Sequence, residues 1–200
     1  MNFNVPTTPN IKPDHLYTYA DYLSWQDNKR YELYNGIVHE MLPAPSRKHQ
    51  DISANLIFEF KRFTQKTSCK VYHAPFDVRL PATETALEDE NVYTVVQPDI
   101  VVVCDPKKLD EKGCIGPPDL VVEILSPSNS RNDIEDKFAL YEYSGVSEYW
   151  IIHPEEETLI VYRLDKDGKY IFQQLYSNMA KVNVGIFQDV IIDLSHIFNQ

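Results

Sequence analysis

Glycine is scarce in this chain, with six among 200 residues. A loop that cradles phosphate needs several glycines close together, so a P-loop or dinucleotide-binding turn is excluded. Cysteine is scarcer still, at three. Cys69, Cys104 and Cys114 lack CxxC spacing, which excludes a cysteine zinc site and predicts no disulfide framework. A reducing compartment, the cytoplasm, is the expectation that follows. No apolar run is long enough to cross a bilayer. The opening stretch MNFNVPTTPNIKPDH has no basic region followed by an apolar one, so no signal peptide is expected. No G-x-S-x-G nucleophile elbow occurs. His39, His49, His73 and His153 show no H-x-x-x-H spacing, which argues against a zinc hydrolase. Positive charge is in deficit: 19 Lys and Arg stand against 30 Asp and Glu, a net charge of −11. A general nucleic-acid coat needs a basic surface and is not indicated. Carboxylates gathered around a cation remain compatible with that balance.

What is present suits one domain over residues 1–200, with 1–16 as an N-terminal arm rich in proline. A helix is expected over Thr18 to Lys29, with Thr18 and Asp21 close to a capping box. RYELYNGIVHEML alternates around Asn35-Gly36 and predicts a hairpin. HQDISANLIFEFKRFTQKT puts Ile52, Leu56, Phe60 and Phe63 on one helical stripe. CKVYHAPFDVRLP reads as a strand, 81–92 as a loop, YTVVQPDIVVVC as one or two strands, and DPKKLDEKGCIGPP as a long loop. DLVVEIL is a strand, followed by a helix over NDIEDKFALYEYSG with Ile134, Phe138 and Tyr141 inward and Gly145 as its stop. SEYWIIHP is a strand, the segment around Asp167-Gly168 a hairpin, and VIIDLSHIF a strand with a short helix. This order predicts an α/β or α+β sheet flanked by helices. Strict βαβ alternation is absent, so a doubly wound nucleotide fold is not expected.

The chemistry concentrates on two Pro-Asp steps that precede apolar strands: Pro98-Asp99 before IVVV, and Pro118-Asp119 before LVVEIL. Glu123 sits between Val122 and Ile124 in a strand that reads as interior. A buried carboxylate is expensive unless a base or a cation meets it. If the two strands are neighbours, Asp99 and Glu123 meet across the sheet. Two close carboxylates repel, and a divalent cation reverses that sign. Oxygen ligands alone favour Mg²⁺ or Mn²⁺ over zinc. Lys137 lies on the apolar side of its helix, either snorkelling to water or reaching the carboxylates. Glu32 enters the first hairpin and either joins the metal shell or bonds nearby backbone. Asp77 and His49 are weaker candidates, and Gly36 and Asp119 are explained by turn and loop. Arg47, Lys48, Arg79 and Arg131 either touch phosphate or lie on the surface.

The strings YELYNGIVHEM, QPDIVVV, PPDLVVEILSPSNSRNDIEDKFALYEYSGVSEYWIIHP and IVYRL resemble the Uma2-type family of proposed restriction endonucleases. That family is large in cyanobacteria and belongs to the wider PD-(D/E)XK nuclease superfamily. The likeness runs from about Thr18 to about Phe198 and is most specific over Pro117 to Pro154. It implies a restriction-endonuclease-like core, a central mixed sheet with helices on both sides and additional β-hairpins, often assembled as a homodimer. The superfamily aspartate falls on Asp99, the acidic residue of its E-x-K element on Glu123, and the family's early glutamate on Glu32. The usual lysine would be residue 125, where this chain has Leu125. In relatives of this type it has moved to the following helix, where Lys137 matches. The implied activity is Mg²⁺-dependent hydrolysis of DNA, with Mn²⁺ able to substitute. Asp99, Glu123 and the Ile124 carbonyl would hold the ion, with Glu32 and Lys137 assisting. The missing lysine at 125 and the negative charge keep open a second expectation: a nuclease-fold protein that binds a nucleic acid or protein partner without cutting. A third is a hydrolase of small phosphorylated molecules.

Overall fold

The computed structural model describes residues 9, 11–27, 29–41, 45–83, 85–126, 131–187 and 189–199, with backbone alone at 131 and 132. Most of the expected N-terminal arm lies outside these residues. Helix α1 (Tyr19–Leu23) has the capping box read from sequence: the Thr18 hydroxyl accepts from the Asp21 N–H, and the Asp21 carboxylate accepts from the Thr18 N–H. It ends at Ser24 rather than Lys29. Trp25 packs edge-on against Tyr17, Tyr22 and Tyr31 instead, and this aromatic cluster sets the path of the chain. Strands β1 (Tyr31–Tyr34) and β2 (Ile37–Glu40) form the expected hairpin, with positive φ at both Asn35 and Gly36. A Cβ on Gly36 would stand 2.8 Å from that of Leu16. Helix α2 (Arg47–Thr64) starts at Ser46, whose hydroxyl accepts from the His49 N–H.

The segment expected as one strand from Cys69 is two: β3 (Lys70–His73) and β4 (Val78–Arg79), which join different sheets. β5 (Val95–Val96) and β6 (Ile100–Val103) also separate between sheets, at Pro98, which has no N–H to give a ladder. The long loop expected after Cys104 contains a small hairpin, β7 (Leu109–Asp110) with β8 (Gly113–Ile115). Then come β9 (Leu120–Ile124), α3 (Arg131–Ser144), β10 (Glu148–His153), β11 (Thr158–Leu164), β12 (Tyr170–Ser177), β13 (Lys181–Asn183), β14 (Ile191–Asp193) and α4 (Ser195–Phe198). Gly145, at φ +85°, stops α3: its N–H reaches the Glu142 carbonyl and that of Val146 reaches Tyr141.

The fold is α/β with a central mixed sheet flanked by helices and extra hairpins. The central sheet runs β12-β11-β10-β9-β6-β3, and β9–α3–β10 is a parallel crossover within it. A second sheet runs β2-β1-β5-β4-β8-β7. Alternation along the central strands divides the core. Ile100, Val102, Leu120, Val122 and Trp150 pack on the α2 stripe of Ile52, Leu56 and Phe60. Val101, Val103, Val121, Tyr149 and Ile151 pack beneath Ile134, Phe138 and Tyr141 of α3. Each fully buried large apolar side chain contributes about 1.5–3 kcal/mol. Among the described residues no helix is long and apolar enough to cross a membrane.

The cysteine expectation fails. Cys69 and Cys104 are joined by a disulfide, and Cys114 is free and buried. The register that sets Lys70 opposite Val103 brings the two cysteines to facing positions one step further along. Their sequence separation of 35 hides this, because only strand pairing shows it. Cysteine usage therefore gives no argument for a reducing compartment. Thiol titration in denaturant without reductant should find one thiol of three, rising to three after reduction; three at the outset would show the pair open.

Candidate functional site

β9 places Glu123 on the α3 side of the central sheet, next to Val121 in the alternation, while Val122 and Ile124 face α2. There α3 presents Lys137 and Tyr141, one turn apart on a single face. Both reach the same oxygen: Lys137 Nζ lies 2.9 Å and the Tyr141 hydroxyl 2.7 Å from Glu123 Oε1. Glu32 arrives from β1, with Oε1 3.3 Å from Lys137 Nζ. That oxygen also accepts the Gln97 N–H at 2.8 Å, and Oε2 accepts the Tyr34 hydroxyl at 2.7 Å. Asp99 comes from the start of β6. Ile100 pairs with Val122, so one further step sets Asp99 opposite Glu123. Its Oδ2 accepts the Ile124 N–H at 2.8 Å and lies 3.2 Å from His49 Nε2. Glu32, His49, Asp99, Glu123, Ile124 and Lys137 line one cleft of about 1090 Å³.

Burial governs the charges. Glu123 is only 8% exposed and Glu32 5%. Burial, with Asp99 and Glu32 nearby, outweighs Lys137 and pushes the Glu123 carboxyl up to about 7. For Lys137 burial works the other way, but Glu123 and Glu32 overcome it and hold the ammonium well above its ordinary range. Burial also opposes a charged His49. Its bond to Asp99, with help from the Ile124 carbonyl and Glu123, wins and raises its pKa. Tyr34 and Tyr141 are pushed up, by burial first, and so remain hydrogen-bond donors. Buried ionic groups of this kind are weak devices for stability, while perturbed groups in a cleft are characteristic of functional sites.

The structure brings Glu32, Asp99, Glu123 and Lys137 together. Asp77 is elsewhere, accepting from the Tyr19 hydroxyl and the Gln97 amide. Asp119 accepts the Cys104 N–H and shapes the strand entry. Arg79 is not a surface residue: it is 2% exposed and paired with Asp110. Lys48 pairs with Glu157 and Arg47 with Asp51. The Arg131 side chain lies outside the described residues. Sequence reading missed Tyr34, Gln97 and Tyr141. Tyr34 stands two residues from Glu32 on the same strand face, and Tyr141 four from Lys137, so periodicity carried both signals.

Among the described residues no three His, Cys, Asp or Glu side chains gather into a metal cluster. The oxygens that would face a cation in this cleft are those of Asp99, Glu123 and the Ile124 carbonyl. One oxygen of each carboxylate already has protein donors. Mg²⁺ keeps several waters and is held through as few as one or two carboxylates. Two carboxylates and one backbone carbonyl would leave most positions of such an ion to water, and they form no cage.

A central mixed sheet flanked by helices, with Asp99 and Glu123 opposite each other on neighbouring strands, is a nuclease-like fold. A crystal structure described as a "putative nuclease belonging to DUF820" from Anabaena variabilis superposes with a TM-score of 0.69, at 20% identity, over 91% of this chain and 97% of that one. Residues 19–194 match the Uma2 family, described as "Putative restriction endonuclease", and the chain belongs to that family. An "Uncharacterized protein slr1290" of Synechocystis sp. is 26% identical over 166 residues, 82% of this chain and 79% of its own length.

Two predictions follow from the buried charges. Lys137→Met leaves two buried glutamates without their base and should cost about 3–5 kcal/mol in urea unfolding. Adding Glu32→Gln and Glu123→Gln should restore most of it; no recovery would show that the loss does not come from unpaired acids. The second concerns pH. The Glu123 pKa is raised from 4.5 to about 7 in the folded state. The folded state then binds more protons between those values, so stability falls as pH rises through that window. Glu123→Gln should flatten this part of the slope of unfolding midpoint against pH.

Proposed function

We propose that this is a nuclease-fold protein that binds nucleic acid, DNA as its partner, along the carboxylate cleft, and that it is catalytically weak or silent as arranged here. One observation carries the reading: the acids of the cleft are already engaged by donors within it. Lys137 is closed on Glu123 and Glu32, and Asp99 is held by His49 and the Ile124 N–H. No third acid joins Asp99 and Glu123 as a metal cluster among the described residues. The family's description and that of the Anabaena protein support nucleic acid as the ligand.

A second reading, Mg²⁺-dependent endonuclease, is favoured by the convergence of Glu32, Asp99, Glu123 and Lys137 on one cleft. Asp99 and Glu123, with the Ile124 carbonyl, would be the holding groups, and the ion would supply Lewis-acid polarisation and a more acidic water. Lys137 would offset charge on the phosphoryl oxygens. Glu32 and Tyr141 fix the lysine and its partner, and His49 fixes Asp99. The resemblance also leads us to propose a homodimer, working in the cytoplasm where DNA is met.

Calorimetric titration with Mn²⁺, DNA-binding measurements, and cleavage of plasmid and single-stranded DNA separate the readings. The first expects DNA binding, no Mn²⁺ heat and no cleavage. The second expects Mn²⁺ heat and cleavage, both lost in Asp99→Ala. Absence of DNA binding and of cleavage would reject both.

A further inference from the structure

A second cleft, of about 510 Å³, adjoins the first. His73 and Ala74 line the carboxylate cleft, Pro75, Phe76 and Asp77 line the second, and Gln97 lines both. The walls of the two clefts therefore meet along residues 74–75 and at Gln97. One wall of the second is aromatic: the Tyr72 and Phe76 rings are stacked, with centroids 4.2 Å apart and planes 3° from parallel. Both side chains are half-buried, so the pair is not sealed within the core.

The polar side of this cleft is acidic. Asp77 Oδ2 accepts the Tyr19 hydroxyl at 2.8 Å, and Oδ1 accepts Gln97 Nε2 at 2.8 Å, so its partners are neutral donors. Gln97 Nε2 also points to the Tyr22 hydroxyl, 3.2 Å away. At the rim, Lys112 is paired with Asp89 and Asp110 with Arg79, and Glu111 is exposed. A phosphate is repelled from such a place. A flat ring that stacks on an aromatic wall and offers N–H groups to a carboxylate is favoured. Adenine, cytosine and guanine carry an exocyclic amino group, whereas thymine offers only its ring N3–H.

We propose that this cleft is a nucleobase subsite. It takes the base of a nucleotide next to the phosphate held in the carboxylate cleft, stacked on the outer face of the Tyr72–Phe76 pair, with its amino group toward Asp77. The subsite prefers amino-bearing bases to thymine. Gln97 couples the two clefts, because its N–H holds Glu32 while its amide holds Asp77. The assignment rests on the nucleic-acid reading of the neighbouring cleft.

The test uses the full chain with two sets of probes. Free deoxyadenosine, deoxycytidine and thymidine are examined by saturation-transfer NMR. Labelled single-stranded oligonucleotides, with and without an abasic site, are examined by fluorescence anisotropy. Wild type should show transfer to deoxyadenosine and deoxycytidine above thymidine. Phe76→Leu should lose it, and Asp77→Asn should erase the difference between bases. Oligonucleotide affinity should fall about 5- to 150-fold in Phe76→Leu. An oligonucleotide abasic at the bound position should bind both proteins alike, which also reports that the variant is folded. If wild type binds oligonucleotides and both Phe76→Leu and Tyr72→Leu bind them equally well, the subsite is overturned and the nucleic-acid reading survives. If nucleosides bind in the expected order and oligonucleotides do not bind, the subsite stands and that reading falls. Absence of binding by either probe overturns both.

Discussion

The ammonium of Lys137, set between the carboxylates of Glu123 and Glu32, is the interaction on which this site depends. Each partner comes from a different element: β9, β1 and α3. None of the three charges could be buried alone, since desolvating an isolated ion costs several kcal/mol even after relaxation. Together they let a strand that is otherwise Leu, Val, Val and Ile carry an acid beneath a helix. The contact also fixes where α3 lies on the sheet, because Tyr141, in the apolar stripe of that helix, shares the same glutamate oxygen.

Around that contact lies a chain of oriented donors. The Gln97 N–H fixes Glu32, the Tyr34 hydroxyl takes the other oxygen of Glu32, and the Ile124 N–H and His49 fix Asp99. Such donors narrow the orientations open to a carboxylate, and a preorganised site gains from that whether it holds a cation or a phosphate. The Lys137 ammonium, with His49 beside Asp99, offsets part of this negative charge, so the cleft is less hostile to a polyanion than a net charge of −11 suggests.

Much of the architecture was legible in the sequence, because its signals are local. The Thr18–Asp21 box, the Asn35-Gly36 turn, the α2 stripe and the Gly145 stop each involve residues a few positions apart. Lys137 was legible as a cation on the wrong face of its helix, and Glu123 as an acid in an apolar strand. What escaped depends on pairing between distant segments. The Cys69–Cys104 bond follows from strand register, the break after His73 from the exchange of sheets, and the early end of α1 from the packing of Trp25. Gln97 was invisible for the same reason, since its importance comes from what two sheets bring to either side of it.

That exchange at Pro98 has a mechanical consequence. Val95 is bonded into the second sheet opposite Leu33 of β1, while Ile100 is bonded into the central one opposite Val122 of β9. The few residues between them hold Glu32 through Gln97 and supply Asp99 directly. Sliding one sheet over the other would therefore pull on the short segment that orients both acids. Residues 97–99 thus tie the geometry of Glu32 and Asp99 to the way the two sheets meet.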